Sequence, residues 1–378
     1  MDSTFVSESS LKSAITEVDG GFVDLDGERY YRVRNYDAMP PFFLTLVSAS
    51  DHWLFISSNG ALTAGRRDPD HALFPYYTDD RIHDSQHQTG SKTILRVHRG
   101  GKISLWEPFS QRYQGLYGLT RNLYKSVYGN KILFEETNHE LSLTFRYEWM
   151  NSERWGFVRR ATLVNDGLEG IRVDLLDGIQ NVLPCGLDRR FQLEYSTLAD
   201  GYKRTELLPH TGLALFCLSS IPVDKAEPSE ALCANLAWST GLDQAKRLLS
   251  SSQFEAFRRG LTLQQETDVR GLRGAYMLNA TVDLAPRATR EWLIVAEVDQ
   301  NATKVRALDR HIRETAGLGA AVLADVAEGT RNLIHIVASA DGLQLTGDEA
   351  SCRRHFSNTL FNVMRGGLPA DGYRVTRD

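Results

Sequence analysis

The residues best suited to chemistry lie between Ser57 and His87, in the run SSNGALTAGRRDPDHALFPYYTDDRIHDSQH. Arg66, Arg67, Asp68, Asp70, Asp79, Asp80 and Asp84 stand there near Trp53, Phe74, Tyr76 and Tyr77, with Gly and Pro interrupting the backbone. A pyranose offers apolar C–H faces to aromatic rings and hydroxyls to carboxylates and guanidinium groups, so this mixture suits a sugar. The same run also fits a surface loop tied by Arg–Asp pairs. His83 and His87 are four apart with Asp84 between them, a spacing that on a helix would turn both imidazoles to one side, as a metal requires. Asp79-Asp80 before them and Thr89-Gly90 after them favour a loop, and no HExxH pattern follows, so no metal is expected.

Neighbouring carboxylates at Asp79-Asp80 and Glu135-Glu136 raise the question of a glycosidase acid and base. Adjacent residues of a strand point to opposite faces, so Glu135 and Glu136 form no such pair by adjacency, and no catalytic residue is assigned. Trp106, Tyr113 and Tyr117, in SLWEPFSQRYQGLYG, could line a groove as stacking platforms. Trp106 also fits a core, because its strand is apolar at alternate positions. There is no Gly-x-Ser-x-Gly elbow, no Walker-type loop and no GxGxxG opening a βαβ unit, so neither serine chemistry nor a nucleotide cofactor is expected.

Short apolar stretches cut by Gly, Asn, Asp or Pro run from Gly21 to about Trp292, the pattern of an all-β sandwich. Strands are expected at 29–34, 42–47, 53–57, 93–97, 102–106, 131–135, 141–149, 156–164 and 171–176. Leu141, Leu143, Phe145, Tyr147 and Trp149 alternate with polar residues, which predicts one buried and one wetter face. Stretches 277–284 and 291–298 flank Ala285-Pro286-Arg287-Ala288, which reads as a hairpin. Beyond Asp299 the apolar period becomes helical, and Glu349 to Met364 places Phe356, Leu360 and Met364 on one face before Gly366-Gly367. The expected organisation is an N-terminal extension over 1–20, a β-supersandwich over 21–300 and a helical linker over 301–378.

Composition narrows the setting. The 378 residues are 42% hydrophobic and 24% charged, with 43 Lys plus Arg against 48 Asp plus Glu and a net charge of -5. Basic residues are dispersed, so nucleic acid is not an expected partner. No apolar run is long enough for a membrane span, and the N-terminus has no signal-peptide pattern. Cys185, Cys217, Cys233 and Cys352 form no Cys-x-x-Cys pair, which reads as free thiols in a reducing, cytoplasmic setting.

Residues Met39 to Ser85 resemble the N-terminal region of inverting glycoside phosphorylases, the family of cellobiose phosphorylase and the phosphorylase-like part of cyclic β-1,2-glucan synthases. Pro40-Pro41, Ser57-Ser58-Asn59-Gly60, Arg66-Arg67, Leu73-Phe74-Pro75-Tyr76 and Asp79-Asp80 follow the family's order, and Arg154 to Gly167 resembles its strand leading into a Leu/Val-x-Asn turn. The resemblance implies a galactose-mutarotase-like β-supersandwich joined by helices to an (α/α)6 barrel, with the general acid and phosphate in that barrel. It implies a non-catalytic module that contacts a β-glucan-like oligosaccharide, a homodimer as a further partner, and no cofactor for this chain. Arg66, Arg67, Asp79 and Asp80 are the implied sugar contacts, with Tyr76 where the family has Trp and Trp106 as a stacking candidate. A second relative of that fold, aldose 1-epimerase, would require a His and a Glu facing one another as acid and base. A purely structural domain would instead place the Arg66 to Asp80 loop against protein.

Overall fold

Alternation builds the centre of the molecule. In the strand Leu143–Ser152, the side chains of Leu143, Phe145, Tyr147 and Trp149 all enter the core. The computed structural model describes residues 5–6, 8–12, 16–77, 81–194, 198–220, 233–242 and 244–364, and these form an all-β body followed by helices. Among them the largest sheet has eleven strands, in the order Asp268–Arg270, Lys203–Leu208, Leu213–Leu218, Cys233–Thr240, Thr289–Asn301, Gly156–Asn165, Leu143–Ser152, Lys131–Asn138, Leu119–Ser126, Glu28–Arg34 and Asp19–Leu25. A five-stranded sheet runs Lys102–Trp106, Gly90–Arg99, Ile171–Val182, Gly274–Leu284 and Lys246–Leu248. A four-stranded sheet runs Phe43–Leu46, His52–Ser57, Leu62–Arg66 and Ala72–Phe74. Every pairing within these sheets is antiparallel. One continuous apolar core joins all three.

A fully buried ion pair ties the two larger sheets together. Arg159 meets Asp177 through two bonds of 2.7 and 2.8 Å, and Trp292 and Thr93 donate to the same carboxylate at 2.7 and 2.6 Å. Such a pair tolerates burial because every charge-bearing atom is met by a partner. Isolated desolvated charges would not be tolerated.

Three expectations are corrected. The stretches around Ala285–Ala288 form no hairpin: Gly274–Leu284 pairs with Ile171–Val182 in the five-stranded sheet, while Thr289–Asn301 pairs with Gly156–Asn165 in the large one. The turn carries the chain from one sheet to the other. The polar face of 141–149 is drier than predicted: Thr144 and Glu148 are buried, Thr144 donating to Asp166 and Glu148 accepting from Tyr30 and Arg160, and Arg146 is half-buried beside Glu135. Lastly, Cys185 and Cys233 are joined by a disulfide with Cα atoms 6.0 Å apart, and only Cys217 and Cys352 are free thiols. The fold brings one strand's exit beside another's entry across 48 residues, a proximity that no local spacing encodes. That bond removes one of the grounds for a reducing compartment.

The helix Glu349–Met364 packs Phe356 and Leu360 against Leu333, Val337, Val47 and Tyr128. Met364, expected on the same face, is 62% exposed. No helix among the described residues is long and apolar enough to cross a membrane.

Candidate functional site

Phe43, Phe55 and Trp53 share the outer face of the four-stranded sheet, because Phe55 pairs with Thr45, two residues along from Phe43, and Trp53 lies two residues from Phe55. Their ring centroids are 5.5 Å apart from Phe43 to Phe55 and 5.9 Å from Phe55 to Trp53, with planes tilted by 32° and 30°. Tyr76 extends the row, edge-on to Trp53 at 5.5 Å. Gly65 faces Trp53 across the ladder, and a Cβ there would come within 2.4 Å of the indole, so glycine lets the ring lie close to the sheet. Phe43 is 55% exposed while Trp53, Phe55 and Tyr76 are half-buried. An exposed aromatic row is costly unless something uses it.

Of the charged residues predicted for sugar contact, Arg66 and Arg67 lie beside this row and are already engaged. Arg66 donates to Asp51 at 2.7 Å and to Glu297 at 2.6 Å, and Arg67 to Asp299 at 2.5 Å. Asp68 accepts from His71 at 2.7 Å, its backbone carbonyl accepts from the Trp53 indole at 3.3 Å, and Asp70 caps the backbone of Arg189 at 2.9 Å. Segment 66–71 is thus tied down by ion pairs and hydrogen bonds while Arg67, Asp68 and Asp70 stay exposed beside the aromatic row. Asp79 and Asp80 lie outside the described residues. Trp106 is only 1% exposed and donates to Glu136 at 2.6 Å inside the core. Glu135 points the other way, to Asn122, Tyr124 and Arg146, as strand geometry requires.

A second feature had no sequence signal. A cleft of about 620 Å³ opens on the outer face of the five-stranded sheet, lined by Lys92, Glu107, Gln180, Asn181, Arg258 and Arg273 among others. Those residues lie far apart in the chain, and the only local sign would have been the strand end at Asn181, which adopts a left-handed φ of 60°. Glu107 is completely buried. Burial alone would raise its carboxyl, but Arg258 and Lys92 outweigh that and hold it below the usual carboxylate range. It is therefore ionised and engaged, unsuited to donating a proton.

His87 and Glu107 line one cleft, with the Glu107 carboxylate already taken by Arg258 and Lys92, and no direct His–Glu bond forms among the described residues. Histidines bonded to carboxylates there meet aspartates: His71 with Asp68, His98 with Asp174 and His210 with Asp309. His83 bonds Ser57 at 2.7 Å and His87 lines the cleft, so the two do not converge as ligands. The cluster of Cys185, Cys233 and Asp299 has suitable atoms for a metal, but its two sulfurs are spent on one another. An apolar groove of about 790 Å³ adjoins the row through Phe55 and runs between Phe22, Tyr31, Phe42 and Phe55 on one side and Leu360 and Phe361 on the other.

No protein-family model matches the chain, and no curated protein matches it. Among solved structures it is similar to a bacterial glucoamylase complexed with acarbose, with a TM-score of 0.48, 10% identity and coverage of 85% of this chain and 42% of that one. A polysaccharide lyase gives a TM-score of 0.39 at 11% identity, covering 72% of this chain and 34% of that one. A protein of Klebsiella pneumoniae subsp. pneumoniae assigned as an aldose 1-epimerase gives 0.30 at 8% identity, covering 78% and 91%. These are carbohydrate-active enzymes by name, and the chain spans less than half the length of the glucoamylase and of the lyase.

Proposed function

We propose that this chain is a non-catalytic carbohydrate-binding module of a larger glycoside phosphorylase-like or hydrolase-like protein, and that it contacts a β-glucan-like oligosaccharide along the row Phe43, Phe55, Trp53 and Tyr76. The observation that carries the reading is the row itself: rings 5.5 to 5.9 Å apart on an outer sheet face, framed by Arg67, Asp68 and His71. Aromatic faces desolvate the C–H surface of successive pyranoses, and the charged rim supplies donors and acceptors for their hydroxyls. The Glu107 that shares a cleft with His87 is ionised and fully engaged by Arg258 and Lys92, which supports binding over turnover. The family resemblance of Met39 to Ser85 supports the class of parent protein and a barrel partner.

The test is calorimetric titration of the whole chain with β-1,2-, β-1,3- and β-1,4-linked gluco-oligosaccharides. Phe43→Ala should weaken binding at least about fivefold, since losing an aromatic contact costs roughly 1 kcal/mol, while leaving the melting point nearly unchanged at this exposed position. Saturable binding that Phe43→Ala and Tyr76→Ala leave intact, or no binding across the panel, would remove the proposal.

A further inference from the structure

The cleft on the five-stranded sheet carries a charge pattern that the aromatic row does not explain. Lys92 lies 2.9 Å from Glu107. Arg258 clasps both oxygens of Glu107 at 2.7 and 2.9 Å and reaches Glu255 at 2.6 Å, and Arg112 meets Glu255 at 3.0 Å. The chain of ion pairs therefore starts and ends on a cation. Arg273, also lining the cleft, donates only to the neutral amide oxygen of Gln88, at 2.9 Å, among the bonds recorded for it. Four cationic side chains face two carboxylates. Glu266 bonds Ser252 but does not line the cleft, and its oxygens accept from the backbone of Leu249 and Ser250 and from the Ser250 and Ser252 hydroxyls.

The cations are held in place before any ligand arrives. Lys92 and Arg258 are largely buried, at 16% and 11% side-chain exposure, and are fixed by the fully buried Glu107. Arg112 and Arg273, by contrast, reach solvent. A cleft with fixed positive excess and two exposed guanidinium groups favours an oxyanion, which such groups can meet in bidentate geometry. Ser110, Gln111, Gln180, Ser251 and Ser252 add neutral polar groups around the same space, the donors and acceptors a polyol needs. At about 620 Å³ the space exceeds that needed by a simple ion.

We propose that this cleft binds an anionic saccharide, its hydroxyls met by the serine and amide side chains and its carboxylate or phosphate ester by Arg273 and Arg112. The site is distinct from the aromatic row, so either proposal can fail without the other. Calorimetry on the whole chain would compare a glucuronic acid oligosaccharide, glucose 6-phosphate, an uncharged gluco-oligosaccharide and inorganic phosphate. One of the two charged sugars should bind at least about tenfold tighter than the uncharged one, and more weakly as salt rises. Which of the two binds tells a carboxylate site from a phosphate ester site. Arg273→Gln should weaken that binding about tenfold with the melting point retained, whereas Phe43→Ala should leave it unchanged. Equal affinity for charged and uncharged sugars, inorganic phosphate binding as tightly as the sugar, no binding of either charged sugar, or an Arg273→Gln, Arg112→Gln double variant with undiminished affinity would each overturn the proposal.

Discussion

Single residues show how far chemistry depends on burial. Arg66 has the type and setting of a sugar contact, yet its guanidinium is shared by Asp51 and Glu297, and burial pushes the Glu297 carboxyl up against the opposing pull of Arg66. Beside it, His52 is driven down to about 3, mainly by burial and further by the Arg66 charge. His52 is thus neutral in the folded protein although the unfolded chain binds a proton near pH 6.5. A depressed value means that its contribution is complete above pH 6.5 and is lost as pH falls towards 3, at about 1.4 kcal/mol per pH unit. Between pH 7 and pH 5 the loss from this residue should approach 2 kcal/mol. Denaturant titration at the two pH values should show that loss in the natural chain and a clearly smaller one in His52→Gln; equal losses would assign the acid sensitivity to other groups.

At the scale of elements, the aromatic row rests on a local device of the four-stranded sheet. Trp53 can lie close to the sheet because Gly65 faces it. Gly65→Ala puts a methyl within 2.4 Å of both the indole and the His71 carbonyl, so the ring or the strand must move. The expected cost is about 1 to 3 kcal/mol of stability, the usual range for overpacking, together with weaker glycan binding because the row loses its spacing. Thermal unfolding and calorimetry on the variant check both; unchanged values for each would mean that the Trp53 position is not what the row depends on. The helix Glu349–Met364 spans the expected residues, with Phe356 and Leu360 buried as its period requires and Met364 exposed at its end. Strands 119–126 and 203–208 were not legible as such, because their alternation is diluted by polar residues, as where Arg121 meets Glu136, while 213–218 is apolar throughout and has no alternation to mark it.

For the whole molecule, the connection between sheets sets both stability and site. The Cys185–Cys233 bond closes a loop across 48 residues, and its removal should cost about 3 to 4 kcal/mol by restoring chain entropy to the unfolded state. Melting with and without a reductant measures this directly. An unchanged melting point would show that the two sulfurs add nothing to the fold in solution. The same large-scale arrangement brings Lys92, Glu107 and Arg258 into one cleft from three separate segments.

The sequence by itself determined the all-β class, the strand positions with clear alternation, the terminal helices and the aromatic character of the 53–77 region, since each depends on periods of two or 3.6 residues and on local breakers. Tertiary structure alone decided which arginines were spent in ion pairs, that Trp106 faces the core, that the strands around Pro286 belong to different sheets, that two cysteines meet, and that a cationic cleft exists. Those outcomes depend on contacts between residues tens to hundreds of positions apart, and a chain's local pattern sets which face a side chain takes but not what it will find there.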